Sequence, residues 1–188
     1  VRDNLRKAVG LLKEAGWSIN NGALTNDQTG ERMSMEFLLD DPAFEDMNLA
    51  YKPSLERLGI SVTIRTVDSG QYQNRIREFD FDVITSVFAQ SLSPGNEQRE
   101  YWGSAAADQK GSRNVIGIKN PVVDKIIDLI IFANNRDELI AATKALDRVL
   151  LWNYFMVPDF YRAEQFLPYW NRFGYPDPNP PYAIGFPT

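Results

Sequence analysis

The sequence lacks both cysteine and histidine. The absence of cysteine excludes disulfides and zinc–thiolate sites within this chain. The absence of histidine excludes imidazole–metal sites and Ser–His or Cys–His nucleophile pairs. A cysteine-free chain is compatible with an oxidising compartment, where stray thiols are a hazard, although it does not identify one. Carboxylates, lysines and tyrosines are the general acid and base groups that remain.

Long apolar runs are also missing. No run reaches the length of a membrane span, and no basic segment followed by an apolar one opens the chain as in a signal peptide. The sequence starts at Val1-Arg2-Asp3 without methionine. We therefore expect it to be a fragment of a longer protein.

Positive charge is not in excess: the sequence has 20 Lys and Arg and 25 Asp and Glu, which gives a net charge of −5. This balance argues against nucleic acid as a partner and, more weakly, against an anionic membrane surface. The 188 residues, 44% hydrophobic and 24% charged, suit one soluble domain or one domain with a tail. A chain of this size can bury roughly 70% of its unfolded surface, so a real core is possible.

The middle of the chain alternates strand and helix patterns. Predicted strands cover residues 33–39, 60–67 and 83–88, and predicted helices cover 42–58 and 68–79 between them. We expect Pro53 to kink or divide the first of these helices. The β-α-β-α-β order with short turns predicts an α/β fold with a mixed, mostly parallel sheet flanked by helices.

Further elements are predicted on either side of this unit. A helix beginning at Asp3 or Asn4 and closed by Gly16 precedes it, followed by a hairpin at Asn20-Asn21-Gly22. After it we predict helices at 121–133 and 136–152 and a last strand at 156–161. The proline-rich end, residues 176–188, is predicted to be an extended arm beyond a domain of residues 1–175.

A long polar segment follows the third predicted strand, and it is longer than an ordinary connection. In open α/β sheets ligands bind beyond the carboxyl ends of the strands, and short polar side chains there can hydrogen-bond a peptide backbone. Tyr101 and Trp102 could add flat apolar walls to such a site, or they could only anchor a solvated loop to the core. The candidate ligand-binding residues are Gln90, Ser91, Ser93, Asn96, Glu97, Tyr101, Trp102, Arg113 and Asn114.

Each charged residue in or near this segment has two possible roles, one functional and one structural. Arg99 or Arg113 could hold a ligand carboxylate or phosphate, or could pair on the surface with Glu100 or Asp108; Arg113 is the better ligand candidate. Asp80 and Asp82 form an i, i+2 pair of the kind used by glycosidases, but capping acids also occur where a strand enters the core. We predict no catalytic residue, no metal site and no cofactor.

A series of short motifs runs in one order along nearly the whole chain. Its members are Ala15-Gly16-Trp17, Asn21-Gly22-Ala23-Leu24, Gly30, 55–60, Val67-Asp68, Gln71-Tyr72, Phe81-Asp82-Val83, 120–127, 145–150 and Val157-Pro158. The series resembles the C-terminal lobe of the extracellular solute-binding proteins of the oligopeptide, dipeptide and nickel class (family 5), which serve ABC importers. Residues 93–99, Tyr101-Trp102 and 111–114 resemble the subgroup associated with oligopeptides and peptide antibiotics of the microcin C type.

The resemblance implies a type II-like periplasmic-binding-protein lobe that forms one wall of a ligand cleft. It implies a peptide-like solute, partner permease and ATPase subunits, and a missing N-terminal lobe toward which the arm of residues 176–188 returns. It also implies a periplasmic or extracellular location, with a membrane anchor as an option for the full-length form. The family binds solutes and is not enzymatic, and it favours structural roles for Asp80 and Asp82.

One departure from the family pattern concerns the ligand's amino terminus. Typical dipeptide and oligopeptide binders carry an Asp in this loop that pairs with a free amine, whereas Glu97 and Glu100 are the only acids between Phe88 and Trp102 here. Either Glu97 substitutes, or the ligand presents no free amine at that point.

Two functions of other classes stay open from the sequence. One is a carboxylate-dependent hydrolase that uses Asp80, Asp82 or Glu97. The other is a protein-interaction domain that binds through its aromatic C-terminal tail, which includes Tyr182 and Phe186.

Overall fold

The computed structural model describes residues 2–160 together with Pro168, Trp170, Arg172 and Gly174. The chain divides into two compact units, Val1–Met156 and Val157–Thr188, and all helices and strands described below belong to the first. The predicted arm of residues 176–188, with Tyr182 and Phe186, lies outside the described residues, and the domain boundary at 175/176 stays a prediction.

The described part of the chain contains six α-helices and five strands. The helices are α1 (Arg2–Glu14), α2 (Glu45–Glu56), α3 (Ser69–Arg77), α4 (Glu97–Trp102), α5 (Pro121–Ile131) and α6 (Arg136–Trp152). The strands are β1 (Trp17–Asn20), β2 (Ala23–Asn26), β3 (Ser34–Leu39), β4 (Ser61–Thr66) and β5 (Val83–Ile84).

Three strands form a parallel sheet in the order β4-β3-β5. Phe37, at the centre of β3, lies opposite Ile64 of β4 and Val83 of β5. Helices α2 and α3 connect the strands, as parallel neighbours require. This arrangement confirms the predicted α/β class with a parallel sheet.

The remaining two strands form a separate antiparallel hairpin. Its register sets Trp17 opposite Asn26 and Asn20 opposite Ala23. The turn places Asn21 and Gly22 at φ 51° and 81°, a conformation that Asn and Gly tolerate best. The predicted Asn-Asn-Gly turn is therefore confirmed.

Side-chain caps fix where three helices begin. Asp68 accepts a hydrogen bond from the backbone N–H of Gln71 at the start of α3. Asn120 and Asn135 play the same part before α5 and α6. Each cap satisfies a backbone donor that has no partner inside its helix, which typically contributes about 1 kcal/mol.

The apolar interior consists of two clusters. The sheet cluster lies around β3, β4 and α2; its buried members are Leu24, Phe37, Leu55, Leu58, Ile60 and Val62. The helical cluster joins α4, α5 and α6; its buried members are Tyr101, Trp102, Ile118, Val123, Ile127, Ile130, Ala142, Leu146 and Leu150. Full burial of one aliphatic side chain contributes about 1.5–3 kcal/mol, so both clusters are substantial.

Three sequence-based expectations were wrong in detail. The strand predicted at 83–88 is only two residues long, because Phe88 turns away to pack against the helical cluster and Val87 is exposed. Residues 156–160 contain no strand. Of the two alternatives given for Pro53, division of the helix is wrong, because α2 runs unbroken from Glu45 to Glu56 with Pro53 exposed near its end, whereas a kink there stays a prediction.

A substitution at Gly59 tests the packing of the hairpin against the sheet. Gly59 has φ 81°, and an added Cβ would lie 2.6 Å from the backbone nitrogen of Leu24. We expect Gly59→Ala to lower the free energy of unfolding by about 1–3 kcal/mol, as measured by urea denaturation. Gly10→Ala is the matched control: it sits in α1 with nothing within 4 Å of the new Cβ. It should raise stability by about 0.5–1 kcal/mol, and equal effects of the two substitutions would contradict this account.

Candidate functional site

The polar segment leaves the sheet at the carboxyl end of β5. Residues 85–96, hereafter the rim loop, form neither helix nor strand and lead into α4. Four of the predicted ligand-binding residues have exposed side chains along it: Gln90, Ser91, Ser93 and Asn96. The rim loop thus presents hydrogen-bonding groups to solvent at the edge of the sheet where ligands commonly bind.

Two residues that sequence reasoning did not select lie at the same edge of the sheet. The phenol of Tyr72, in α3, donates a 3.5 Å hydrogen bond to the carbonyl oxygen of Thr85. Burial, and after it the nearby Asp40 carboxylate, raise the pKa of the Tyr72 phenol, which therefore stays protonated as a donor at neutral pH. Asp40 follows β3 and Tyr72 follows β4, so their positions after strand ends were the signal that could have identified them.

An aromatic cluster anchors the start of the rim loop. The Phe88 ring lies 4.5 Å from the Trp102 ring and 5.5 Å from the Tyr101 ring, between centroids. The Tyr101 hydroxyl donates to the carbonyl oxygen of Ala89 at 3.3 Å. Tyr101 and Trp102 are only 5% and 3% exposed. This corrects the expectation of flat ligand-facing walls: the two rings form the anchor that was the alternative interpretation.

The amide of Gln98 connects this anchor to the outer part of the rim loop. Its Oε1 accepts a 3.0 Å hydrogen bond from the Trp102 indole N–H, and its Nε2 donates to Gln90 Oε1 at 2.7 Å. Nε2 also lies 3.2 Å from Glu97 Oε1. Gln98 is 3% exposed and was not selected from the sequence, because a glutamine between charged neighbours looks like a surface residue.

Glu97 is held as a carboxylate by its surroundings. Burial alone would raise its pKa, but hydrogen bonds from the backbone N–H groups of Gly95 and of Glu97 itself, and from the Gln98 amide, outweigh burial and lower the pKa. The Gly95 N–H donates to Oε1 at 2.8 Å. A carboxylate with a lowered pKa is a poor general acid at neutral pH.

Asn114 is fully buried and has a structural role. Its Nδ2 donates to the carbonyl oxygens of Gly103 and Ile118, and its Oδ1 accepts from the Ile118 N–H, each at 3.0 Å. The side chain has no exposed surface left for a ligand. The structure therefore corrects the expectation that Asn114 contacts a ligand, because its amide closes the turn before α5.

The two arginines differ in how much of their guanidinium is engaged. Arg99 forms a 2.7 Å ion pair with Asp128. Arg113 is exposed and lies 5.1 Å above the Tyr101 ring. Its ion pair with the Glu100 carboxylate is longer and weaker, at 3.9 Å. Arg113 can therefore still accept a ligand anion, and its assignment as a ligand-binding residue stays a prediction.

Hydrogen bonds from α6 hold the tip of the rim loop. The first residue of α6, Arg136, donates from Nη1 to the carbonyl oxygen of Leu92 at 2.6 Å and lies 3.5 Å from Ser93 Oγ. The loop is thus fixed at its start by the aromatic cluster, in its middle by Gln98 and Arg136, and at its end by α4. Its exposed side chains therefore project from a segment that contacts the lobe at several points.

The acids considered for hydrolysis each have a different structural partner. Asp80 pairs with Arg75 at 2.9 Å, and Asp82 accepts a 2.9 Å hydrogen bond from the backbone N–H of Glu36. A cavity of about 450 Å³ lies beside the hairpin turn and the start of β4, and neither these acids nor Glu97 line it.

Within the described residues no group of three or more potential metal ligands occurs. No described helix is both long and apolar enough to cross a bilayer.

Comparison with known proteins gives a consistent result. Residues 1–110 match the model of the bacterial extracellular solute-binding proteins, family 5 (middle region). A probable peptide-binding protein YejA of Agrobacterium fabrum is 53% identical over 186 residues, which is 99% of this chain and 30% of that protein. A peptidoglycan-binding protein YepA of the same organism is 39% identical over 179 residues, 95% of this chain and 29% of that protein.

The fold also has solved counterparts. The oligopeptide-binding protein AppA of Bacillus subtilis, solved with a nonapeptide, superposes with a TM-score of 0.70 at 22% identity. The match covers 80% of this chain and 30% of AppA. The predicted fold class, a type II periplasmic-binding-protein lobe, is thereby confirmed. The chain spans about 30% of the length of the relatives that it matches.

Two asparagine substitutions distinguish a buried residue that stabilises the fold from an exposed residue of the rim loop. Asn114→Ala should lower the free energy of unfolding by about 2–4 kcal/mol, because it leaves buried backbone groups of Gly103 and Ile118 unpaired. Asn96→Ala is the matched control, since Asn96 is exposed and makes no side-chain capping bond; it should change stability by less than about 0.5 kcal/mol. Thermal or urea denaturation measures both, and a small effect at Asn114 would contradict its structural role.

The lowered pKa of Glu97 predicts a dependence of stability on pH. A group whose pKa is lower in the folded state stabilises the fold above its unfolded pKa, and this contribution is lost as pH falls through the folded value. Unfolding free energies of the wild type and Glu97→Gln, measured from about pH 7 to about pH 3, should converge on acidification. Glu31→Gln controls for net charge, since no described residue pairs with its carboxylate. A constant difference between wild type and Glu97→Gln would refute the assignment.

Proposed function

Because the chain belongs to family 5 of the bacterial extracellular solute-binding proteins, we propose that it forms one wall of the solute cleft in the binding subunit of an ABC importer. The solute is an oligopeptide or a peptide-like molecule. The chain binds and releases its solute unchanged, so it needs no catalytic residue and no cofactor.

The exposed polar face of the rim loop is the observation that carries this proposal. Gln90, Ser91, Ser93 and Asn96 offer amide and hydroxyl groups in water. Behind them, the buried Tyr101 holds the backbone carbonyl of Ala89 and the buried Gln98 holds the side chain of Gln90. Short groups of this kind can hydrogen-bond the amide backbone of a peptide without selecting its side chains. A pre-formed rim also lowers the entropy that is lost on binding.

The chemical class of the solute follows from what the rim can recognise. The relatives' names mention peptides and peptidoglycan, and an amide backbone is common to a peptide and to the stem of a peptidoglycan fragment. Oε1 of Glu97 is already engaged by Gly95 and Gln98, and no aspartate takes its place in the loop. We therefore propose that recognition depends more on the amide backbone than on a free amino terminus.

The partners and the location belong to the same proposal. The full-length protein would hold the solute between this lobe and an N-terminal lobe, close around it by a hinge motion, and deliver it to permease and ATPase subunits. Its site of action would be periplasmic or extracellular. Nothing described favours the hydrolase, since Asp80, Asp82 and Glu97 have separate partners.

Isothermal calorimetry on the full-length protein tests the proposal. We expect a tripeptide, a pentapeptide or a nonapeptide to bind, and N-acetylation to weaken binding by no more than about three-fold. The 188-residue chain alone should bind much more weakly, because half of the cleft is missing. A parallel titration with a muropeptide distinguishes the two solute sources. Tighter binding of the muropeptide than of linear peptides would assign the site to peptidoglycan fragments.

Substitution of the rim decides whether this face is the one used. The double substitution Ser91→Ala, Asn96→Ala should weaken peptide binding by about three- to ten-fold, because two side-chain hydrogen bonds to the solute are removed. Asn74→Ala, at an exposed position of α3, is the matched control and should leave affinity unchanged. Full affinity in the double variant would show that the solute binds elsewhere.

A further inference from the structure

The side chain of Gln98 links the core to the exposed part of the rim loop. We propose that Gln98 is a positioning residue, whose buried amide holds the rim loop in the conformation that receives the solute. This inference rests on the proposed function and adds to it a residue that does not itself contact the solute.

The geometry gives the Gln98 amide one partner on each side. Toward the core, Oε1 accepts the Trp102 indole N–H at 3.0 Å; toward the loop, Nε2 donates to Gln90 Oε1 at 2.7 Å. Nε2 also approaches Glu97 Oε1, which in turn accepts from the Gly95 N–H. Both donors and the acceptor of the amide are therefore used, as a polar group 3% exposed requires.

Gln90 shows what this arrangement does for the rim. Its side chain is exposed, and exposed glutamines ordinarily sample many rotamers. Here its Oε1 is held from below by Gln98, which fixes the direction in which its free amide N–H₂ points. Without that bond, residues 89–93 would be held to the rest of the described lobe by the Tyr101 hydroxyl on Ala89 and by the Arg136 guanidinium on Leu92 and Ser93.

The stability of the core alone does not explain why a glutamine occupies this buried position. Burying an amide beside a tryptophan is unfavourable unless every polar atom is paired, and an apolar side chain of similar size would fill the same space. What an apolar side chain cannot do is transmit the position of α4 to the loop. The bond to Gln90 is therefore the part of the network that bears on solute binding.

The test uses the full-length protein and three substitutions. Gln98→Met keeps the volume and removes every hydrogen bond, whereas Gln98→Glu keeps an acceptor for the Trp102 indole but loses the donors to Gln90 and Glu97. Gln73→Met is the matched control, because Gln73 is exposed on α3 and its side chain bonds to no described residue. The readouts are the NMR backbone order parameters of residues 89–93, the indole N–H signals of the four tryptophans of this chain, and the affinity for a nonapeptide.

We expect both Gln98 variants to lower the order parameters of residues 89–93 to about 0.6 or less, the range of flexible backbone, and to weaken nonapeptide binding by about five-fold, well below the melting temperature. The Trp102 indole signal should shift in Gln98→Met and stay closer to its wild-type position in Gln98→Glu. Gln73→Met should change none of these. If Gln98 only stabilised the core, its variants would lower the melting temperature but leave the order parameters at 89–93 and the affinity unchanged, and that result would overturn the proposal.

One more variant keeps the proposal testable if the core substitutions fail to fold. Gln90→Met removes the same hydrogen bond from the exposed side, where it cannot disrupt the core, and should lower the order parameters of residues 91–93 by a similar amount. Unchanged order parameters would refute the positioning role. Failure of the wild type to bind any peptide would instead refute the proposed function, while the order parameters would still decide whether Gln98 orders the loop.

Discussion

The packing of Phe88 against Tyr101 and Trp102 is the interaction on which the rest of the site depends. The chain leaves the sheet after only two residues of β5, and the Phe88 ring brings it back onto the helical cluster within four residues. Without this return, the polar residues that follow would form an unattached loop. Because the Tyr101 and Trp102 rings are buried and the partly buried Phe88 packs against them, the hydrophobic effect supplies the fixed end from which weaker hydrogen bonds can order the rim loop.

Much of the fold could be predicted because local signals agreed with the global pattern. Caps at Asp68, Asn120 and Asn135, the Asn-Gly turn and the period-two strand of β4 each specify an element by short-range chemistry. The errors occurred where distant contacts decide the outcome. Residues 83–88 carry strand-forming side chains except at Ser86, yet pairing stops at Ile84 because Phe88 packs against the helical cluster.

The rim loop was predictable as a polar segment, but the direction of each side chain was not. The polar composition after β5 located the rim loop, whereas the direction of each side chain depends on helices far along the chain. Trp102 and Asn114 face inward because α4 and α5 pack together, and Tyr72 reaches the loop from another connection. Gln98 could not be recognised in advance, since its role is set by the indole beneath it and by the amide above it.

The apolar interior is split between two clusters, and the rim loop passes from one to the other. Its start extends from β5, where Val83 packs against the sheet cluster, and Phe88 packs against the helical cluster. Under the proposed function, a solute that contacts this loop therefore contacts a segment attached to both clusters. The rigidity of the rim loop then depends on both of them, so a substitution deep in either cluster is expected to change solute affinity without touching the solute.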